Sequence, residues 1–245
     1  MRALLGLIGL VLGGLMAVAL FGTLGHLRQV APEHLPPWTA AVSDGSGVIS
    51  GQAELPGGAA WPGALDLSWT WAGLEGTAPR WRLVLAATGA SGSAHLAVPA
   101  PFERARLSEG RGSLDLSALP LAGLGGEMRL ETLDGVLVAE DLRAERLTGA
   151  GRILGASYEG VAIGDGTFDL ATDAGGAWRM RFATEGPAGT LEGRLSGLIG
   201  GGAATLEAEI TPGAAMSEDW RQTLDLLADR QENGGWRVRR RFDLR

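Results

Sequence analysis

Cysteine and lysine are absent from this 245-residue chain, and tyrosine occurs once. Without cysteine the chain can form no disulfide, thiolate nucleophile or cysteine-based metal site. Cysteine-protease, zinc-finger and iron–sulfur functions are therefore excluded. The net charge is −7, and residues 237–241 form the one contiguous basic tract. Because a nucleic-acid surface needs many phosphate-neutralising cations, this charge balance predicts no nucleic-acid partner.

Residues able to carry catalysis are few and scattered. The three histidines are His26, His34 and His95, and their spacing resembles neither a zinc site nor a catalytic dyad. Residues 149–155 are glycine-rich but lack the spacing and βαβ context of a dinucleotide loop. The sequence therefore predicts no catalytic, cofactor-binding or metal-binding residue, and we expect a protein that is not an enzyme. An exported hydrolase would need an acid, base or nucleophile set that the sequence does not supply.

A long uncharged run lies near the start of the chain. Residues 3–25 carry no charge, and a helix through them would span on the order of 30 Å, the thickness of a bilayer core. We expect residues 1–27 to form a membrane signal-anchor, a single transmembrane helix. The alternative is a cleaved secretory signal, for which residues 17–19 provide small side chains. Arg2 precedes the run and Arg28 follows it, and this weak bias favours a cytoplasmic N-terminus in the bacterial inner membrane.

Proline marks the next segment. Residues 28–40 include the sequence PEHLPPW, whose prolines favour an extended chain. We expect a connector here that separates the anchor from a periplasmic β-rich domain formed by residues 41–245.

Alternation of apolar and polar residues dominates that domain. It is clearest over residues 65–71, 80–85, 178–182 and 206–210. A period of two is typical of strands with one buried and one wet face. Turn-forming pairs or runs separate such stretches at residues 89–92, 134–135, 164–166 and 173–176. The pattern predicts a mainly β fold, a curved antiparallel sheet of hairpins.

Helical spacing is clear only near the end of the chain. Trp220, Leu224 and Leu227 recur at one helical face, Ser217 can cap the start, and residues 233–234 can end the helix. A last strand is expected from Trp236. Arg240 falls on the apolar side of that strand, where it is either a snorkelling edge residue or a cation that contacts a partner.

Several of these features together resemble the type II secretion system protein N family (general secretion pathway protein N). Residues 47–53, GVISGQA, are similar to its G-x-[hydrophobic]-x-S-G-x-A motif, and residues 67–69 to its L-x-W strand. Residues 223–227 and 234–238 resemble its closing helix, glycine turn and strand. The resemblance implies a non-catalytic inner-membrane accessory protein that supports export of folded proteins from the periplasm. It also implies other secretion components as partners, either the inner-membrane platform or the outer-membrane secretin.

A different class of function stays open, namely a membrane-anchored lipid-binding or lipid-transfer protein. Its groove would lie on the apolar sheet face, which otherwise serves simply as a core. The residues expected to line such a groove are aromatic: Trp69, Trp71, Trp81, Trp178 and Phe182.

Overall fold

The structure is a computed structural model that describes residues 22–30, 42–55, 64–101, 103–119, 123–138, 144–173, 175–198 and 203–243. Most of the expected anchor, residues 1–27, and most of the expected connector, residues 28–40, lie outside the described residues. Within the described ranges, no helix is long and apolar enough to span a membrane.

Thirteen strands in the described residues form one open antiparallel sheet. They are β1 (Ser50–Leu55), β2 (Leu65–Glu75), β3 (Ala78–Ala87), β4 (Ala90–Ala97), β5 (Arg104–Asp115), β6 (Leu124–Val138), β7 (Ala144–Tyr158), β8 (Val161–Thr172), β9 (Ala177–Gly186), β10 (Gly189–Leu198), β11 (Ala203–Pro212), β12 (Asp229–Arg230) and β13 (Trp236–Asp243). The order in the sheet follows the sequence from β1 to β11 and ends with β13 and β12. The prediction of a mainly β, antiparallel fold is confirmed.

Among the described residues, three short helices accompany the sheet: α1 (Leu24–Val30), a 3₁₀ turn (Leu116–Ala118) and α2 (Glu218–Leu227). The predicted start of α2 is confirmed, because the Ser217 side chain accepts a hydrogen bond from the Trp220 backbone N–H. Its predicted end is wrong. The helix stops at Leu227, and residues 233–234 form the turn between β12 and β13 instead.

The two faces of the sheet differ as the alternation predicts. Residues directly opposite each other on paired antiparallel strands point to the same face. One such row crosses eleven strands and is entirely apolar or glycine: Leu67, Leu85, Gly92, Gly112, Leu130, Gly151, Phe168, Phe182, Gly193, Ala208 and Val238. We call this side the apolar face and the opposite side the charged face.

Glycines in this row make room for rings. A Cβ atom at Gly151 would lie 2.7 Å from Cζ of Phe168, and one at Gly193 would lie 2.5 Å from Cζ of Phe182. Each ring therefore lies over the backbone of the neighbouring strand, as aromatic side chains do beside glycine in sheets. The glycine content of the strands thus allows aromatic packing within a single layer.

The two ends of the sheet are also distinct. Trp71 lies four residues beyond Leu67 on β2, and Trp178 lies four residues from Phe182 on the oppositely directed β9, so both point to the same end. Trp81 pairs with Trp71 there. We call this the tryptophan end. At the opposite, helix end, Leu116 of the 3₁₀ turn packs on Ile153 and Phe168, and Leu224 of α2 packs on Trp236.

Two predicted turns are in fact parts of strands. Residues 134–135 lie inside β6 and residues 164–166 inside β8. Gly135 pairs with Leu107 of β5 on one side and Leu147 of β7 on the other, so neighbours on both edges hold β6 extended through this Asp-Gly pair. The predicted turn around residues 173–176 is confirmed, since β8 ends at Thr172 and β9 begins at Ala177.

Candidate apolar groove

A space of about 520 Å³ lies along the apolar face. Its walls are mainly aliphatic side chains from β2, β3, β5, β6, β8 and β9: Leu65, Leu67, Leu83, Leu85, Leu114, Met128, Leu130, Leu133, Phe168, Leu170 and Met180. We call this space the groove. It has the apolar lining that is typical of lipid and other hydrophobic ligand sites.

The groove crosses the sheet rather than following one strand. Strands β2 and β9 both contribute to it, and they are seven strand spacings apart in the sheet order. At about 4.8 Å per spacing, they would lie roughly 34 Å apart on a flat sheet. β-Bulges, which bend and twist strands, shift the register at Trp71/Gly73, Ser93/His95 and Leu130/Thr132. The bent sheet therefore brings strands that are far apart in its order to one space.

Little covers this face. Leu67, Leu85, Leu130 and most other groove side chains are only half-buried. Coverage in the described residues is confined to the helix end, below the 3₁₀ turn and α2, and to one corner near residues 46–49. A single sheet layer thus leaves many apolar side chains of this face partly accessible between its two ends, a kind of surface that often marks a binding site.

The five aromatic residues expected to line a groove all lie on the apolar face, but none of the five lines this space. Trp69 donates its indole N–H to the Gly47 carbonyl at 3.0 Å, and Trp81 donates to the Val48 carbonyl at 2.6 Å. Trp71 meets Trp81 edge-on, with ring centroids 5.4 Å apart. These contacts hold all three indoles together at the tryptophan end.

The other two aromatic residues lie on the far side of the groove. The Trp178 indole lies close to Gly197 on β10, and Phe182 packs on the cluster around Phe168. Sequence reasoning chose aromatic residues and passed over the leucines and methionines beside them. The sequence did contain a signal for these residues. The same alternation of apolar and polar residues places on this face Leu65, Leu67, Leu83, Leu85 and Met180.

Arg240 lies on the apolar face, as strand parity predicts, where it pairs with Leu206. Its Nη2 donates to the carbonyl of Leu227 at 3.4 Å, the last residue of α2. A cation at a helix C-terminus interacts favourably with the helix dipole. The side chain thus has a partner within the chain and helps to fix α2 over the edge of the sheet.

The charged face carries a ladder of ionic residues across neighbouring strands: Asp169, Arg181, Arg194, Glu207 and Arg239. Arg194 forms an ion pair with Glu207, and Arg239 Nε lies 3.3 Å from the same carboxylate. The hydrogen bond from Arg194 is the main cause that holds the pKa of Glu207 below its ordinary value, and the charges of Arg194, Arg239 and Arg237 add to it.

A second ionic cluster contains the one histidine well inside the domain. Glu109 accepts from Arg80 at 2.6 Å and lies 3.3 Å from His95 Nδ1. The Arg80 hydrogen bond and charge hold the pKa of Glu109 below its ordinary value, with smaller contributions from His95. Glu109 and Glu207 are thus each stabilised in the ionised form by arginine. Within the described residues, no group of three or more acidic or histidine side chains is placed to hold a metal ion.

Acidification is expected to destabilise the fold through these carboxylates. Because the pKa values of Glu109 and Glu207 are lower in the folded state, their contribution is complete above the ordinary glutamate pKa of about 4.3 and is lost as the pH falls through the lowered values. Urea unfolding from about pH 7 to about pH 3 would measure the fall. The double variant Glu109→Gln/Glu207→Gln should show a shallower fall, and an unchanged slope would contradict this assignment.

Comparison of the chain with protein-family models, with curated proteins and with solved structures finds no match.

Proposed function

We propose that this chain is a non-catalytic accessory component of the type II secretion system. In this proposal a single span within the anchor, residues 1–27, crosses the inner membrane with the N-terminus in the cytoplasm, and a curved sheet domain stands in the periplasm. The domain supports export of folded proteins by contacting the inner-membrane platform or the secretin.

The observation that supports this proposal is that the separate motifs of the family resemblance form packed units. Residues 47–53 lie against the strand that contains residues 67–69: Ala53 pairs with Leu67, and the Trp69 indole lies over Gly51. A Cβ atom at Gly51 would lie 2.1 Å from that ring, so the glycine of the motif is needed for this packing. The closing motif forms a second unit, in which Leu224 packs on Trp236.

The test uses the tagged full-length chain expressed in a bacterium that has a type II secretion system. Cells are crosslinked, the membranes are solubilised, and proteins that copurify are identified by mass spectrometry. A tagged single-pass periplasmic protein unrelated to secretion is the control. Enrichment of platform proteins or secretin, with reduced secretion when the gene is deleted, would support the proposal. Absence of both effects would reject it.

A second candidate function is binding of a lipid acyl chain, and the groove is the observation that favours it. The groove has aliphatic walls on an otherwise uncovered face, and it crosses several strands as a long, narrow ligand requires. Because an apolar ligand would remove this surface from water, its binding is driven mainly by the hydrophobic effect.

This second function is tested with matched pairs of substitutions. Leu67 and Leu85 pair with each other in the groove, and Ser68 and Val84 pair one residue further along on the charged face. Lipid extracted from purified full-length protein is measured by mass spectrometry. Leu67→Gln/Leu85→Gln should retain roughly tenfold less lipid than wild type, whereas Ser68→Gln/Val84→Gln should retain the wild-type amount. Equal lipid in both double variants would exclude the groove as the site.

A further inference from the structure

We propose that the tryptophan end of the sheet lies on the surface of the lipid bilayer. This docking surface consists of Val48, Trp71, Leu74 and Leu198, and its partner is the headgroup and upper acyl region of a membrane. The proposal rests on the membrane anchor of the proposed function, and it does not depend on secretion or on a ligand in the groove.

Exposed apolar side chains are concentrated at this end. In the described residues, seven large hydrophobic side chains are exposed, and four of them lie here: Val48 at 51%, Trp71 at 37%, Leu74 at 64% and Leu198 at 56%. Leu74 lies in β2 just beyond Trp71, before the β2–β3 turn, and Leu198 is the last residue of β10. They are spread along this end of the sheet from β2 to β10, and exposed apolar side chains are costly in water and favourable at a membrane interface.

The indoles at this end fit the same environment. Trp81 and Trp69 donate their N–H groups to backbone carbonyls of residues 47–48, while Trp71 stays partly exposed beside Trp81. Tryptophan is enriched at the level of lipid headgroups, where its ring is apolar and its N–H stays paired. A fixed cluster of indoles would therefore anchor this end at the interface.

The path of the chain identifies the bilayer as the partner. The described chain begins at Gly22, and Thr23 pairs with Gly47, whose carbonyl accepts from Trp69. The Leu24 N–H donates to Ser46 at 2.7 Å, so the chain is already fixed to the tryptophan end at these residues. The preceding residues are apolar and uncharged from Ala3 onward, close to the length of about 20 residues that spans a bilayer.

Helix α1 is held at the same corner. Arg28 forms an ion pair with Asp44 and donates from Nη2 to the Val42 carbonyl at 3.0 Å. In the sequence, only Gly22 separates Phe21 of the apolar run from the fixed residue Thr23. Since an extended residue covers at most about 3.6 Å, the tryptophan end cannot lie far from the membrane surface.

The test places single labels on the full-length chain, which has no cysteine of its own. Leu74→Cys and Leu198→Cys report on the docking surface, and Leu226→Cys, an exposed leucine of α2, is the matched control. Each variant carries a fluorophore and is reconstituted into phosphatidylethanolamine–phosphatidylglycerol vesicles that contain headgroup-quencher lipids. All three positions are exposed, so the substitutions should not disturb folding.

Labels at residues 74 and 198 should be quenched several-fold more strongly than the label at residue 226. A water-soluble quencher should give the reverse order. Equal quenching at all three positions would overturn the proposal, and so would failure of the full chain to associate with the vesicles. These outcomes are separate from the secretion test, because they measure only the distance of the sheet end from the lipid.

Discussion

Replacement of Trp236 by alanine is expected to lower the free energy of unfolding by about 3–5 kcal/mol. Trp236 is 2% exposed and is the largest fully buried side chain of the described residues. It packs on Met216 and Leu224, and its indole N–H donates to Asp225 at 2.7 Å. Removal of the ring would therefore leave a cavity between α2 and the sheet, and Asp225 would lose the hydrogen bond from the indole.

Urea unfolding followed by circular dichroism measures this effect. Trp236→Phe keeps most of the apolar contact and should cost less than the alanine variant. Leu226→Ala is the control for α2, because this leucine is 86% exposed and surface substitutions usually change stability by less than about 0.5 kcal/mol. A Trp236→Ala variant as stable as wild type would show that α2 does not contribute to the fold through this contact.

The α2 cluster has a second reporter that is separate from the substituted residue. Trp220 of α2 stacks on Tyr158 of β7, with ring centroids 5.7 Å apart. Tyr158 is the only tyrosine in the chain, so the nuclear magnetic resonance signal of an isotope label on tyrosine is specific for this contact. Loss of that signal before the loss of sheet structure would show that α2 detaches as a local unit.

Alternation allowed the faces of the sheet to be predicted, because side-chain direction along a strand depends only on neighbouring residues. Leu67 and Ser68 fall on opposite faces as expected. Turns were less predictable. The Asp134-Gly135 pair favours a hairpin locally, but β5 and β7 pair with β6 on both sides and keep the chain extended. Those partners are distant in sequence, so a local pattern could not reveal them.

The helix and the groove likewise each have one feature that neighbouring residues predict and one that depends on residues distant in the sequence. Ser217 identifies the start of α2 because capping is local, whereas the end at Leu227 reflects the pairing of β12 with β13. Trp69 and Trp81 looked suitable for a groove, but their N–H groups are bound by carbonyls 22 and 33 residues away in the sequence. Leucines and methionines of the apolar face line the groove instead.

Substitution of Phe168 by alanine is expected to cost about 3–5 kcal/mol of unfolding free energy. Phe168 is 5% exposed and belongs to the cluster with Leu116, Ile153 and Ala156. Its ring also lies over Gly151, which has no side chain to fill the space that the ring leaves. Urea unfolding would measure the change, and Phe168→Leu, which keeps much of the volume, should cost less than about 1.5 kcal/mol.

Phe168 also lines the groove, which links this stability prediction to ligand binding. A ligand that binds only the folded state raises its stability in proportion to RT ln(1 + [L]/Kd). Removal of the ring enlarges the groove, so an acyl chain can occupy part of the new cavity. If lipid binds there, added lipid should raise the melting temperature of Phe168→Ala more than that of wild type. An equal rise in both proteins would place the lipid elsewhere, because only a ligand in contact with residue 168 can fill the space left by its ring.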